Sequence, residues 1–273
     1  HISGPLLIVA GAGSGKTKVL TSRIAHILNE NKAFPNQILS VTFTNKAARE
    51  MQNRVSKIFN NKVVGLPWLG TFHSICAKIL RRHSNAVNLN QNFTIIDQDD
   101  QLRLVKSICN AENIDIKKVS PNFIISLINK WKNFGWYPDD VTLKKSDNLE
   151  RNLLKIYKIY QTKLTNLNVC DFGDLILHCV SIFEKNQDII EMYSKNFKYI
   201  LVDEYQDTNF IQSKWLKLLT KTHDNICCVG DDDQSIYSWR GAEIKNFLEF
   251  DKVYKNTKII RLEENYRSTQ NIL

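Results

Sequence analysis

The sequence predicts an α/β fold: a parallel sheet with helices on both faces, interrupted by a mostly helical insertion. Three observations carry this expectation. Six short apolar runs, at residues 6–9, 38–43, 68–70, 199–202, 226–229 and 259–262, are mostly continuous rather than alternating, as in strands covered on both faces. Helical patterns at 16–29 and from 45 to about 59 lie between the early runs, and strand–helix–strand alternation favours parallel pairing. From 91 to 195 the pattern turns helical. Residues 1–90 and 196–273 are thus expected to be two parts of one sheet domain, with 91–195 inserted between them.

Taken in order, the run Leu6, Leu7, Ile8, Val9 ends in a glycine-rich turn, and the helical pattern 16–29 follows. Residues 38–43 lead into the second helical pattern. Inside the insertion, Leu153, Tyr157, Tyr160, Leu164 and Leu167 step by four, three, four and three residues and predict one apolar helix stripe. Leu102, Val105 and Ile108 predict a shorter one, and Pro121 and Pro138 mark helix boundaries. No repeat period and no low-complexity tract interrupts the pattern.

The chain has 273 residues, 43% hydrophobic and 24% charged, the composition of a globular protein rather than a disordered one or a fibre. The longest aliphatic run near the start, 6–10, is far short of the ~20 residues of a membrane span. The chain starts at His1 with no charged leader, which reads as an internal or expressed fragment and not a secreted precursor, and a cytoplasmic protein is expected from its cysteines. The six cysteines show no two-residue spacing of a zinc knuckle and sit mostly in apolar patterns, so they are expected to be reduced core residues. Net charge is +9, and its location is informative. Residues 1–90 hold twelve Lys or Arg against two Asp or Glu, whereas the remainder is nearly balanced. Such a segment either meets a polyanion or forms a solubilising face.

The turn after the first run reads Ala10-Gly11-Ala12-Gly13-Ser14-Gly15-Lys16-Thr17, a P-loop with Ala in place of the usual first Gly. Glycines let the backbone curl so that N–H groups converge on phosphate oxygens, and the following helix N-terminus adds positive potential. Lys16 would reach the β- and γ-phosphates, and Thr17 would ligate Mg²⁺. Residues 199–202 run directly into Asp203-Glu204. An acidic pair at the C-terminal end of a buried parallel strand faces the ligand crevice. Asp203 would hold Mg²⁺, and Glu204 would orient and deprotonate the attacking water. The run 226–229 is followed by Gly230-Asp231-Asp232-Asp233-Gln234, where Gln234 could contact the γ-phosphate and report its loss. Asn45-Lys46-Ala47-Ala48 lacks the Asp that guanine recognition needs, which disfavours a GTPase.

Together these motifs resemble the first half of the superfamily 1 DNA helicases of the UvrD/Rep/PcrA type, over essentially the whole chain. The matching segments are 10–17, Thr-Phe-Thr-Asn-Lys-Ala-Ala at 42–48, Gly-Thr-Phe-His-Ser at 70–74, Val-Asp-Glu-Tyr-Gln-Asp-Thr at 202–208, Gly-Asp-Asp-Asp-Gln-Ser-Ile-Tyr-Ser-Trp-Arg-Gly-Ala at 230–242 and Glu-Asn-Tyr-Arg-Ser at 264–268. The resemblance implies a RecA-like core with a helical subdomain, and ATP- and Mg²⁺-driven 3′ to 5′ translocation on single-stranded DNA with unwinding at single-strand/duplex junctions. It implies that Gln234 senses the γ-phosphate, Tyr266 stacks on adenine and Arg267 is an arginine finger. It places Phe43, Thr44, Asn45, Thr71, Phe72, His73, Tyr237, Trp239 and Arg240 on the DNA path. Exposed aromatics among basic residues are sequence-tolerant stacking platforms, and Lys46 and Arg49 could meet backbone phosphates. After Thr17 the family commonly has Arg, whose plane stacks on adenine; Lys18 lacks that plane. The family's second RecA-like domain would follow Leu273 and is the expected intramolecular partner. A nucleic-acid-binding module with a vestigial nucleotide site, and a helicase–nuclease, are the alternative readings.

Overall fold

The structure is a computed structural model that describes residues 1–59, 65–114, 116–142, 148–237 and 241–268. The first strand, β1 (Leu6–Ala10), enters the glycine-rich loop and helix α1 (Lys16–Asn29). Strand β2 (Ile38–Thr42) leads to α2 (Asn45–Ile58), which Thr44 caps by accepting a hydrogen bond from the Ala47 N–H. Strand β3 (Leu69–Thr71) passes directly into α3 (Phe72–Arg82). Then come β4 (Thr94–Ile95), α4 (Gln98–Ala111), α5 (Pro121–Asn133), α6 (Asn148–Asn166), β5 (Val169–Cys170), α7 (Phe172–Lys185) and α8 (Gln187–Asn196). The chain returns through β6 (Tyr199–Val202), α9 (Phe210–Leu219), β7 (Ile226–Gly230), the short helices α10 (Ile244–Leu248) and α11 (Phe250–Val253), and β8 (Lys258–Leu262).

Six strands form one sheet in the order β3-β2-β6-β7-β1-β8, every pair parallel. The registers Val9↔Gly230 and Ala10↔Leu262 bring the carboxyl ends of β7, β1 and β8 to the same edge, and Val41↔Val202 does so for β2 and β6. Strands β2, β6 and β7 are buried along their whole length, which fits their largely continuous apolar runs, broken only by the buried Ser40 and Thr42 of β2. Leu6, Ile8, Leu20, Ile24, Ile38, Met51, Val55, Leu201 and Val229 belong to the core around this sheet.

The chain divides into two compact units, residues 1–75 with 186–273, and residues 76–185. The expected division at 91 and 195 lies elsewhere for a physical reason. A helical period shows that a face is buried, not which unit buries it. At one end, Arg81 on α3 donates to the Gln91 and Phe93 carbonyls and lies 4.4 Å over the Phe93 ring, inside the helical unit. At the other end, Tyr193 and Phe197 pack edge-on against Trp68, inside the sheet unit.

In the helical unit, Val105, Ile108, Ile124, Ile128, Leu153, Tyr157, Tyr160 and Leu164 share one core. Leu167, expected on the same stripe, lies past the end of α6 and is exposed. Pro121 opens α5 behind the N-cap Ser120, where its missing N–H costs nothing. Strands β4 and β5 form a small parallel pair that the sequence reading did not anticipate, because two-residue strands carry no period. All six cysteines are buried. Among the described residues, no helix is long and apolar enough to cross a membrane.

Candidate nucleotide and nucleic-acid site

The loop after β1 curls as its glycines allow. Gly13 and Gly15 have φ of 77° and 95°, and the Ser14 backbone N–H and hydroxyl both donate to the Gly11 carbonyl. Gly15 then precedes the first turn of α1, which begins with Lys16 and Thr17. Strand β8 lies beside β1, so the residues leaving β8 meet this loop. The Asn265 amide donates to the Ala12 carbonyl at 2.8 Å, and the Tyr266 N–H donates to the Gly13 carbonyl at 3.0 Å. Asn265 Oδ1 also accepts from the N–H groups of Arg267 and Ser268. A Cβ on Gly13 would fall 2.7 Å from the Arg267 Cβ, so only glycine permits this approach. Arg267 and Tyr266 are therefore held beside the loop, both side chains exposed. The Tyr266 hydroxyl donates to the Glu264 carboxylate. Lys18 is exposed on the first turn of α1.

At the end of β6, Asp203 is buried and Glu204 adopts the left-handed conformation, φ 50° and ψ 46°. That conformation costs a non-glycine residue on the order of 1–3 kcal/mol. It turns the Glu204 side chain back across the sheet edge, where Glu204 Oε2 lies 3.4 Å from Lys16 Nζ. The P-loop lysine and the acidic pair, 187 residues apart in sequence, are thus brought together. Among the described residues, the buried Lys16 ammonium has no hydrogen-bond partner, nor has Oδ1 of Asp207. Burial and the Glu204 carboxylate push Asp203 up to about 7, against the pull of the Glu204 N–H and Lys16. The same two influences raise Asp207 to about 6. A buried cation without a hydrogen bond, backed by three crowded carboxyls, fits an anionic ligand at the lysine and a cation at the carboxylates. The residues present therefore suit a nucleotide phosphate with Mg²⁺.

Gln206, which the sequence reading did not single out, joins the two acidic loops. Its amide donates to Glu204 Oε2 at 2.9 Å, and its Oε1 accepts the Asp231 N–H at 3.1 Å. A Cβ on Gly230 would collide with that Oε1. Past β7, Gln234 lies on a 3₁₀ turn and donates to the Asp231 carboxylate. The Ala242 N–H donates to the Tyr237 carbonyl, and Asn209 and Ala242 form an antiparallel bridge, so this loop is pinned to the residues after Asp203-Glu204. Asn265 was missed as well, although an Asn before two polar residues is a common turn-former.

On the neighbouring strand ends, Phe43 is half-buried, and Thr44 and Asn45 are exposed at the start of α2. Thr71 is nearly buried, and its hydroxyl oxygen accepts from the Ser74 N–H. Burial holds the largely buried His73 imidazole below its ordinary range. Phe72, expected as a DNA-stacking residue, is instead a core side chain. It is 1% exposed and packs between Phe43, at 5.6 Å, and Trp215, at 5.9 Å. In this structure it backs Phe43 and offers no face to a base. Tyr237 is half-exposed. Trp239 and Arg240 lie outside the described residues.

Residues 1–255 match the family described as the UvrD/REP helicase N-terminal domain. The whole chain is 51% identical, over 276 residues, to a probable DNA helicase II homolog of Rickettsia conorii, covering 42% of that protein. It is 51% identical to DNA helicase II of Rickettsia typhi, again over 42% of that protein. It is 47% identical, over 270 residues, to the ATP-dependent DNA helicase PcrA of Staphylococcus aureus, with 99% of this chain and 37% of that protein covered. The chain spans about two fifths of the length of these curated relatives. With an all-parallel sheet, a P-loop beside an acidic pair, and a family match over most of its length, the chain belongs to the UvrD/REP helicase N-terminal domain family.

Proposed function

We propose that this chain is the ATP-binding, single-strand-contacting part of a cytoplasmic 3′ to 5′ DNA helicase or translocase that also engages single-strand/duplex junctions. The observation that carries the nucleotide reading is the buried Lys16 ammonium, lacking a hydrogen-bond partner 3.4 Å from Glu204. The loop residues Ala10, Gly11, Ala12, Gly13, Ser14 and Gly15 would cradle the phosphates with their backbone, and Lys16 would neutralise the β- and γ-phosphate oxygens. Thr17 and Asp203 would hold Mg²⁺, which supplies charge neutralisation on the phosphates. Glu204 would orient water in line with the γ-phosphorus and accept its proton, with Gln206 fixing the carboxylate. Gln234 would respond to loss of the γ-phosphate. Asp231 and the Tyr237–Ala242 contact would carry that response to the DNA-facing loop.

Tyr266 and Lys18 would flank the adenine, and Arg267 would approach the γ-phosphate from beside Gly13. On the DNA side, Phe43 and Tyr237 would stack on bases, with Thr44, Asn45, Thr71 and His73 along the backbone and Trp239 and Arg240 completing the path. The family's second RecA-like domain would supply a further arginine, and an arginine finger is worth ~10³–10⁵ in rate. The isolated chain is therefore expected to bind nucleotide weakly, hydrolyse it slowly and not unwind DNA.

Binding of a fluorescent ATP analogue with Mg²⁺ tests the reading. Lys16→Ala is expected to abolish it, and Glu204→Gln to retain it while lowering turnover of the full-length protein by ~10²–10⁴. Unchanged nucleotide affinity in the lysine variant would overturn the assignment. Unchanged turnover in the glutamate variant would favour a nucleic-acid-binding module with a vestigial site.

A further inference from the structure

We infer that the outer face of α2 is a track for the sugar–phosphate backbone of single-stranded DNA, running from the strand-end residues Thr44 and Asn45 to Lys57. The inference rests on the DNA reading above and extends it beyond the loop that follows β2. At 100° per residue, Lys46, Arg49, Asn53 and Lys57 fall within about 80° of one another on the helix. Ala48, Met51 and Val55 fall on the opposite side, and all three are buried. The four polar residues are exposed and line an open groove of about 560 Å³ together with Glu50 and Arg54.

The charge balance of this face is one-sided, with one carboxylate against four Lys and Arg along α2. Some exposed lysines of the sheet unit pair within their own helix, as Lys195 does with Glu191 and Lys252 with Glu249. On α2 the one carboxylate, Glu50, is taken by Arg54 at the rim of the groove. Lys46, Arg49 and Lys57 have no carboxylate partner among the described residues. Three unpaired cations on one stripe, with the Asn53 amide between them, repel one another until a polyanion lies along them. With Asn53 counted, the stripe steps by three to four residues, rises of roughly 4.5–6 Å, and the charged pair Arg49 and Lys57 is about 12 Å apart along the axis. Each strand of a duplex carries one phosphate per about 3.4 Å of helix axis, and an extended single strand spaces its phosphates more widely. The stripe starts one residue beyond Asn45, so a strand stacked on Phe43 would pass straight onto it.

The test is the salt dependence of oligo-dT binding by the chain, read by fluorescence anisotropy. Each phosphate contact adds about 0.7 to the slope of log affinity against log salt for a single strand. Arg49→Ala/Lys57→Ala is expected to reduce that slope by about 1.4. Between ~50 and ~200 mM salt the parent chain should then lose roughly sevenfold more affinity than the variant. Arg49→Lys/Lys57→Arg should restore the slope. Phe43→Ala should weaken binding while leaving the slope intact, because stacking releases no counterions. An unchanged slope in the double alanine variant overturns the track and leaves the DNA reading standing. A slope change seen with a blunt duplex but not with oligo-dT overturns the single-strand assignment. A parent chain that does not bind oligo-dT at low salt ends the DNA reading, and the track with it.

Discussion

Lys132→Met should unfold the helical unit far more readily at neutral pH than at acid pH. Lys132 is fully buried, and its ammonium donates to Asp171 Oδ2 at 2.6 Å and to Asp174 Oδ1 at 2.7 Å, both aspartates also fully buried. The Tyr160 hydroxyl donates to Asp171 and the Gln161 amide to Asp174, while each aspartate carboxylate accepts the other's backbone N–H. Burial alone would pull the lysine down, but the two aspartates outweigh it and hold the ammonium above its ordinary range. Burial and the Asp174 charge raise Asp171. Against its own burial, Lys132 and His178 hold Asp174 low. Methionine keeps the apolar stem and removes the charge, leaving two carboxyls facing each other in a dry site. Breaking a buried pair in this way costs about 3–5 kcal/mol. For a unit of this size that lowers its melting transition by more than about 12 °C.

The pH dependence separates lost charge from lost packing. In the variant both carboxyls have folded pKa values raised above their unfolded values. Its stability is therefore fullest below about pH 4 and is lost as pH rises through the raised values. In the parent the ammonium keeps Asp174 ionised, so much less is lost. Urea titrations at about pH 4.5 and 7.5 should show the gap between parent and variant widening at the higher pH. A loss below about 1 kcal/mol, or the same loss at both pH values, would refute the reasoning.

Gly230→Ala should destabilise the sheet unit by about 1–3 kcal/mol, because its Cβ collides with Gln206 Oε1 and meets the Phe247 ring at 2.7 Å. An unchanged thermal transition would mean that the two acidic loops are not packed as described. The raised Asp203 gives the metal-free chain its own pH signature. The folded state holds that proton up to about 7 against an unfolded value near 3.8, so stability is present at acid pH and declines as pH rises between those values. Asp203→Asn should flatten the decline, and adding Mg²⁺ with nucleotide should offset it in the parent alone. Parallel stability profiles for parent and variant would contradict the burial argument.

Much of the geometry of the candidate nucleotide site was legible in the chain because it is local. The loop needs glycines at fixed steps before Lys16, and the loop's conformation follows from those residues. An acidic pair directly after an apolar run points to the carboxyl edge of a strand, and Asp203 and Glu204 lie there. The stripe through Leu153, Tyr157, Tyr160 and Leu164 likewise announced its burial, since a 3.6-residue period is written within one helix.

What only the tertiary structure decided is partnership. Nothing near Gln206 in sequence says that it spans Glu204 and Asp231, because the span depends on β6 lying next to β7. Lys132 reads as one more helix lysine until α5 is packed near the start of α7. Phe72 sits in an apparent nucleic-acid motif, yet Trp215, more than 140 residues away, encloses it. The physical reason is the same in each case. The alternation of residue types records how much of a side chain must leave water, whereas the identity of what it meets is set by strand order and register, which couple positions far apart along the chain.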